Sequence, residues 1–67
     1  MYQHMRELRE DKHLTQKQMG EVLECSQRAY SNYELGKRNI PIETLIKLAD
    51  FHGVTIDYLV GRTNKID

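Results

Sequence analysis

Between residues 26 and 38 the chain reads SQRAYSNYELGKR, a stretch rich in side chains that can form hydrogen bonds. Gln27, Arg28, Ser31 and Asn32 lie in it, and none of them is acidic. Arginine can donate a bidentate pair of hydrogen bonds to guanine, and glutamine or asparagine can pair in the same way with adenine. Side chains of these types on one surface would suit the base edges in the major groove of DNA.

A helix would bring the four side chains together. Arg28 and Asn32 are four residues apart and therefore share one face, which Gln27 and Ser31 flank. Two tyrosines interleave with them and are expected to point the other way, into a core. The basic residues that follow, where a duplex backbone would run, are Lys37 and Arg38.

Apolar periodicity and capping residues predict an all-α fold of five short helices. The first helix is expected over about residues 2–12, with Met5 and Leu8 on one face. The second begins with a capping box of Thr15 and Gln18. The apolar stripe expected on the second helix consists of Met19, Val22 and Leu23.

The third helix is expected to begin after the capping residue Ser26, to bury Tyr30 and Tyr33, and to stop at Gly36. The connection between the second and third helices is expected to be only about three residues long, residues 24–26. So short a connection predicts a sharp helix-turn-helix crossing. Gly20 would allow a close approach there, because it has no side chain.

Pro41 suits the first position of the fourth helix, which is expected to end near residues 52–53. Thr55 is expected to cap the fifth helix and Gly61 to end it. The residues expected to face the core are Ile42, Leu45, Leu48 and Ala49 in the fourth helix, and Ile56 and Leu59 in the fifth.

The composition excludes several classes of protein. The chain has 67 residues, a formal net charge of zero and one cysteine, so it predicts one domain over residues 1–67 without a disulfide or a cysteine-rich zinc site. No apolar run near 18 residues and no signal-peptide core is present, so an intracellular, cytoplasmic protein with no membrane contact is expected. Zero net charge gives no general attraction to DNA, and any attraction must be local.

These motifs together resemble the phage-repressor/Cro-like helix-turn-helix family, also called the XRE family. The resemblance rests on LRxxxxLTQxxMGxxLxxSxxxYSxYExGK over residues 8–37 and on ETLIKLADFHGVTIDYLVGRT over residues 43–63. It implies a lambda-repressor-like fold with the helix-turn-helix at helices 2 and 3. The family binds operator DNA as a dimer, with the third helix in the major groove.

The resemblance also implies roles for individual residues. The side chains that the resemblance places at base edges are Gln27, Arg28 and Asn32, and helix spacing alone adds Ser31 to this group. Those placed at the DNA backbone are Gln16, Ser26, Lys37, Arg38 and Asn39. Arg9 and Glu34 match a pair that, in some members, forms a salt bridge between the first and third helices.

Two positions depart from the family pattern. Glu24 stands where glycine is usual, and a left-handed conformation would cost glutamate about 1 kcal/mol, which predicts a strained or differently shaped turn. Cys25 stands where leucine or valine is common, and we interpret it as a small buried hydrophobe rather than a redox switch.

Other interpretations of the same residues remain open at this point. The polar face of the third helix could be solvated, and the tyrosines could stack on bases rather than pack in the core. The three histidines are scattered without partners at ligand spacing, so no metal site is expected, and His52 is interpreted as a residue of a helix end. No nucleophile–base pair or phosphate-binding glycine loop is present, so neither an enzyme nor a cofactor is expected.

The sequence therefore predicts a sequence-specific transcriptional regulator, most simply a repressor that binds a near-palindromic operator as a homodimer. The alternative is an antitoxin-type module that binds a toxin and regulates its own synthesis. No ligand-sensing domain is expected after the fifth helix, so regulation would come from concentration or a protein partner. The apolar residues expected at the dimer contact are Ile46, Tyr58, Val60 and Ile66.

Overall fold

The structure, a computed structural model, describes residues 2–62, and these form five α-helices without a strand. The helices are α1 (Gln3–Asp11), α2 (Gln16–Val22), α3 (Gln27–Leu35), α4 (Ile42–His52) and α5 (Ile56–Leu59). The predicted all-α, five-helix fold is confirmed. Within the described range, no helix has the length and apolar character needed to cross a membrane.

Capping residues set the starts of three helices. Thr15 and Gln18 form the predicted capping box of α2, with each side chain bonded to the other residue's backbone N–H. Ser26 caps α3 and Thr55 caps α5 through hydrogen bonds to the third residue of each helix. Pro41 is the residue just before α4 rather than its first residue, because its ψ of 145° is extended.

The core lies where the five helices meet. Its fully buried side chains are Met5, Met19, Tyr30, Leu48 and Leu59. Leu23, Tyr33 and Ala49 complete the buried cluster. Every helix thus contributes to one core, and α3 contributes its two tyrosines, so the direction in which α3 faces is fixed by packing.

Two apolar residues expected in the core are exposed instead. Val22 is 41% exposed because the buried side of α2 is set by Met19 and Leu23, which are one turn apart. Ile42 is 61% exposed because it lies in the first turn of α4, at the edge of the face that buries Leu48. Both predictions were therefore wrong.

The turn between α2 and α3 is as tight as predicted. A Cβ atom added to Gly20 would lie 2.7 Å from the carbonyl oxygen of Cys25, so only glycine fits there without movement of the backbone. Glu24 adopts a left-handed conformation with φ of 58°, which is the strained geometry expected of a residue standing where glycine is usual. Cys25 is half-buried against the core, and burial raises the pKa of its thiol.

His52, expected only at a helix end, is the last residue of α4 and is buried. Within residues 2–62, neither of its ring nitrogens has a hydrogen-bond partner. Burial and, to a smaller extent, the charge of Lys12 together lower the pKa of His52 to about 4. The ring is therefore neutral near pH 7 and acts as a core residue.

Candidate DNA-binding surface

The outer face of α3 carries the four side chains that the sequence suggests for base contacts. Gln27 and Arg28 are exposed, and Ser31 and Asn32 are half-buried at the side of the same face. The buried residues of α3, which are Tyr30, Tyr33 and Glu34, lie on the opposite side. Core packing of the tyrosines thus turns the polar side chains outward.

Both ends of α3 are closed by hydrogen bonds. The hydroxyl of Ser26 accepts a bond of 3.0 Å from the backbone N–H of Ala29. At the other end Gly36 is left-handed with φ of 77°, and the N–H of Lys37 donates to the carbonyl of Asn32 at 2.9 Å. The helix therefore presents its outer face on a backbone whose ends are fixed.

The polar side chains of this face have no partners within the part of the chain that the structure describes. The side chains of Gln27, Arg28 and Asn32 form no hydrogen bond or ion pair with any of residues 2–62. Their donors and acceptors are consequently available to a molecule outside the domain.

A second group of candidates surrounds α3. Lys37, Arg38 and Asn39 are all exposed and follow directly after its C-terminal glycine. Ser26 lies at its other end, where its hydroxyl already serves as the cap. Gln16 is the first residue of α2 and is half-buried. Candidates for backbone contact therefore lie at both ends of α3 and at the start of α2.

The inner side of α3 holds a charged pair. Arg9 donates two hydrogen bonds to the carboxylate of Glu34, from Nε to Oε2 at 2.9 Å and from Nη2 to Oε1 at 3.1 Å. A further guanidinium nitrogen donates to the carbonyl of Leu14 at 2.9 Å. The amide Nε2 of Gln16 lies 3.5 Å from Oε1 of Glu34, a long hydrogen bond. This junction joins α1, the start of α2 and α3.

The pair remains ionised despite its burial. Burial alone would raise the pKa of Glu34, but the hydrogen bonds and charge of Arg9 outweigh it and lower that pKa below its usual range. The hydrogen bond with Glu34 raises the pKa of Arg9. Burial, followed by the nearby carboxylate, raises the pKa of Tyr30, whose hydroxyl has no well-aligned hydrogen-bond partner among residues 2–62.

The sequence interpretation missed two features of this region. The contact between Gln16 and Glu34 joins residues 18 positions apart, and no local pattern indicates it. The second feature is Leu35, which is 44% exposed at the end of α3. The sequence did indicate this exposure, because Leu35 follows Arg28 by seven residues, or about two helical turns, and so lies on the same face.

Comparison with known proteins places this arrangement in context. A family model described as helix-turn-helix matches residues 5–59. The HTH-type transcriptional regulator ImmR of Bacillus subtilis (strain 168) is 36% identical over 58 residues, which cover 87% of this chain and 46% of the relative. Two uncharacterized HTH-type transcriptional regulators of that organism also match. YobD is 32% identical over a stretch that covers 97% of this chain and 58% of YobD. YqaE is 36% identical over a stretch that covers 94% of this chain and 55% of YqaE.

The chain spans about half the length of the curated relatives it matches. No solved structure matches it.

Proposed function

The chain belongs to the helix-turn-helix family of DNA-binding transcriptional regulators, and from this premise we propose that it represses transcription by binding a near-palindromic operator as a dimer. The observation that supports this most strongly is the outer face of α3. Its polar side chains have no partners among residues 2–62, whereas the buried carboxylate of Glu34 on the inner side is paired with Arg9.

In this proposal α3 lies in the major groove. Arg28 donates to a guanine, while Gln27, Ser31 and Asn32 contact neighbouring bases. The residues that hold the DNA backbone are Gln16, Ser26, Lys37, Arg38 and Asn39. Backbone contacts set the register of the protein on the duplex, and base contacts select the sequence.

Arg9 and Glu34 act from behind this surface. Their bidentate contact joins α1 to α3, so we assign them a structural role rather than a direct contact with DNA. One core cluster is shared by all five helices, which supports our proposal that residues 1–67 form a single domain. We expect it to unfold in one cooperative transition.

A dimer follows from the size of the interface. One small module offers only about 600–1,000 Å² to DNA, whereas two aligned modules reach the affinity of an operator-binding protein. Ile46 is exposed on α4, and Ile42, one turn earlier, extends the apolar face. Of the other suggested contact residues, Tyr58 and Val60 are half-buried, and Ile66 lies outside the described residues. We therefore centre the proposed dimer contact on α4.

Selection of bound duplexes from a random pool tests the proposal. We expect an enriched near-palindrome with half-sites about one helical turn apart, and two chains on each duplex by analytical ultracentrifugation. Placing that sequence in a promoter should lower expression of a reporter when the protein is present. A 1:1 complex on an asymmetric site would contradict the dimer, and increased expression would contradict repression. Failure to enrich any sequence would contradict DNA recognition itself.

Nothing among residues 2–62 or in the comparisons favours the toxin-binding alternative.

A further inference from the structure

Leu35 is an apolar side chain on a polar surface. It is the last residue of α3 and is 44% exposed. It follows Arg28 by seven residues and Asn32 by three, so it lies on the same outer face of the helix. The other large exposed hydrophobic residues among residues 2–62 belong to α2 and α4, and they are Val22, Ile42, Ile46 and Phe51.

The backbone around Leu35 is held by hydrogen bonds at the end of α3. Gly36 follows it in a left-handed conformation, and the N–H of Gly36 donates to the carbonyl of Tyr33 at 3.1 Å. The N–H of Lys37 closes the same turn on Asn32. Leu35 therefore stands on a closed helix end, beside the basic residues proposed to hold phosphate.

We propose that Leu35 contacts the C5-methyl group of a thymine in each half-site and so selects thymine at that position. Thymine is the base that presents an apolar group in the major groove, and an apolar side chain recognises it by excluding water from that methyl group. This inference rests on the proposed function, because it places the outer face of α3 in the groove.

The spacing along α3 predicts where the thymine lies. Seven residues of helix advance about 10 Å along its axis. Successive bases of a strand are about 3.4 Å apart, so this advance corresponds to about three base steps. The thymine should therefore lie about three positions from the guanine contacted by Arg28, for a helix that follows the groove.

Replacing single thymines of the selected operator by deoxyuridine tests the contact, because this change removes the methyl group and keeps the base pairing. Burying one methyl-sized group is worth about 0.8 kcal/mol, which converts to about a fourfold loss of affinity per half-site. We expect the intact protein to show this loss at one thymine position in each half-site. Titration of duplexes substituted one position at a time would locate it.

Leu35→Ala provides the decisive comparison. This variant should bind the thymine operator about fourfold less tightly per half-site, and deoxyuridine at the identified position should no longer weaken it. Leu35→Met should keep part of the response, because methionine is apolar and of similar size. Val22→Ala is the matched control. It also truncates an exposed apolar residue, but on α2, and it should respond to deoxyuridine as the parent does.

Each outcome decides the inference. If the parent binds every deoxyuridine operator as tightly as the thymine operator, Leu35 contacts no thymine methyl group. The same conclusion follows if Leu35→Ala keeps the full response, or if its affinity loss is identical at every sequence, as a contact with a sugar would give. If the parent enriches no duplex at all, both this inference and the proposed function are overturned, whereas the first outcomes leave DNA recognition intact.

Discussion

The inner and outer sides of α3 both carry polar residues, but they use them in opposite ways. On the inner side Glu34 is buried and accepts two hydrogen bonds from Arg9. On the outer side Arg28 and Gln27 are exposed and have no side-chain partner among residues 2–62. Within a single helix, burial therefore separates the polar groups that stabilise the fold from those available to a ligand.

The physical reason is the cost of removing charge from water. A buried carboxylate needs a partner and hydrogen bonds, and breaking such a pair leaves an uncompensated charge. An exposed guanidinium stays solvated and needs no partner within the domain. Substitutions on the inner side should therefore change the free energy of unfolding, and those on the outer side should change the affinity for DNA.

Glu34→Ala should produce the largest effect. It leaves Arg9 with only the carbonyl of Leu14 as a partner, and loss of one member of a buried pair costs about 3–5 kcal/mol of unfolding free energy. We expect the melting temperature to fall far more than the affinity for DNA per folded molecule. Urea titration measures the first quantity, and binding corrected for the folded fraction measures the second.

Glu10→Ala is the control for that experiment. Glu10 also pairs with an arginine, Arg6, at 3.3 Å, but both side chains are about half exposed. An exposed pair of this kind contributes less than about 1 kcal/mol. Equal losses in the two variants would show that burial does not distinguish the inner pair.

Acidification should produce the next largest effect, through His52. Its pKa is about 4 in the folded protein and near 6.5 when unfolded, so the unfolded chain binds more protons between these values. Stability should therefore fall as the pH falls from about 6.5 towards 4, by up to about 3 kcal/mol. The lowered pKa of Glu34 acts in the same direction, but below the usual carboxyl value of 4.5. Urea titrations between about pH 7 and pH 5 thus test His52 separately.

His52→Leu should flatten this pH dependence, because it replaces an unpartnered buried ring with an apolar side chain. The control is His13→Asn, which removes an exposed histidine and keeps a residue type tolerant of its left-handed φ of 57°. A pH profile unchanged in His52→Leu would show that another group is responsible.

Local rules predicted the helix ends well. Thr15, Ser26 and Thr55 act as caps because each needs only a backbone N–H three residues ahead. The left-handed Gly36 and the strained Glu24 follow from backbone sterics of single residues. These features depend on neighbours in the chain and are visible in the sequence.

Features set by distant parts of the chain were less predictable. Ile42 has the right period for the core but lies at the edge of the buried face, which periodicity cannot show. The burial of His52 depends on how α4 packs, and the contact of Gln16 with Glu34 depends on how α2 crosses α3. The outer face of α3 was predictable because the spacing of two tyrosines alone fixes its direction.

On the outer side, Arg28→Ala and Lys37→Ala should fail in different ways. Loss of a bidentate base contact costs about 1–3 kcal/mol on the operator and relaxes the preference at one position in each half-site. Loss of a phosphate contact weakens all sequences alike and reduces the salt slope by about one unit per contact. Arg28→Ala should thus reduce the ratio of the affinities for operator and scrambled duplex, whereas Lys37→Ala should leave this ratio unchanged.

Titration of both variants against both duplexes at several salt concentrations measures these differences. The zero net charge of the chain sharpens the test, because a protein without a general positive field should bind scrambled DNA poorly. Neither variant should change the urea midpoint, because both side chains are exposed. If Arg28→Ala prefers the operator over scrambled DNA as strongly as the parent does, the base-contacting face is assigned wrongly.

Gln16, the first residue of α2, combines a contact with the inner side of α3 and a proposed contact with DNA, and its substitution gives the smallest expected effect. Its amide is half-buried near Glu34, yet we propose that it also donates to a phosphate. Gln16→Ala should weaken operator and scrambled DNA equally, by about 0.5–1.5 kcal/mol for one hydrogen bond. The salt slope should stay unchanged, because a neutral amide neutralises no phosphate. Stability should change little, because Glu34 keeps both bonds from Arg9.

Gln16→Glu should instead lower stability and affinity together, because it brings a second carboxylate towards Glu34 and towards the phosphate. If Gln16→Ala loses stability but no affinity, Gln16 belongs to the inner side alone.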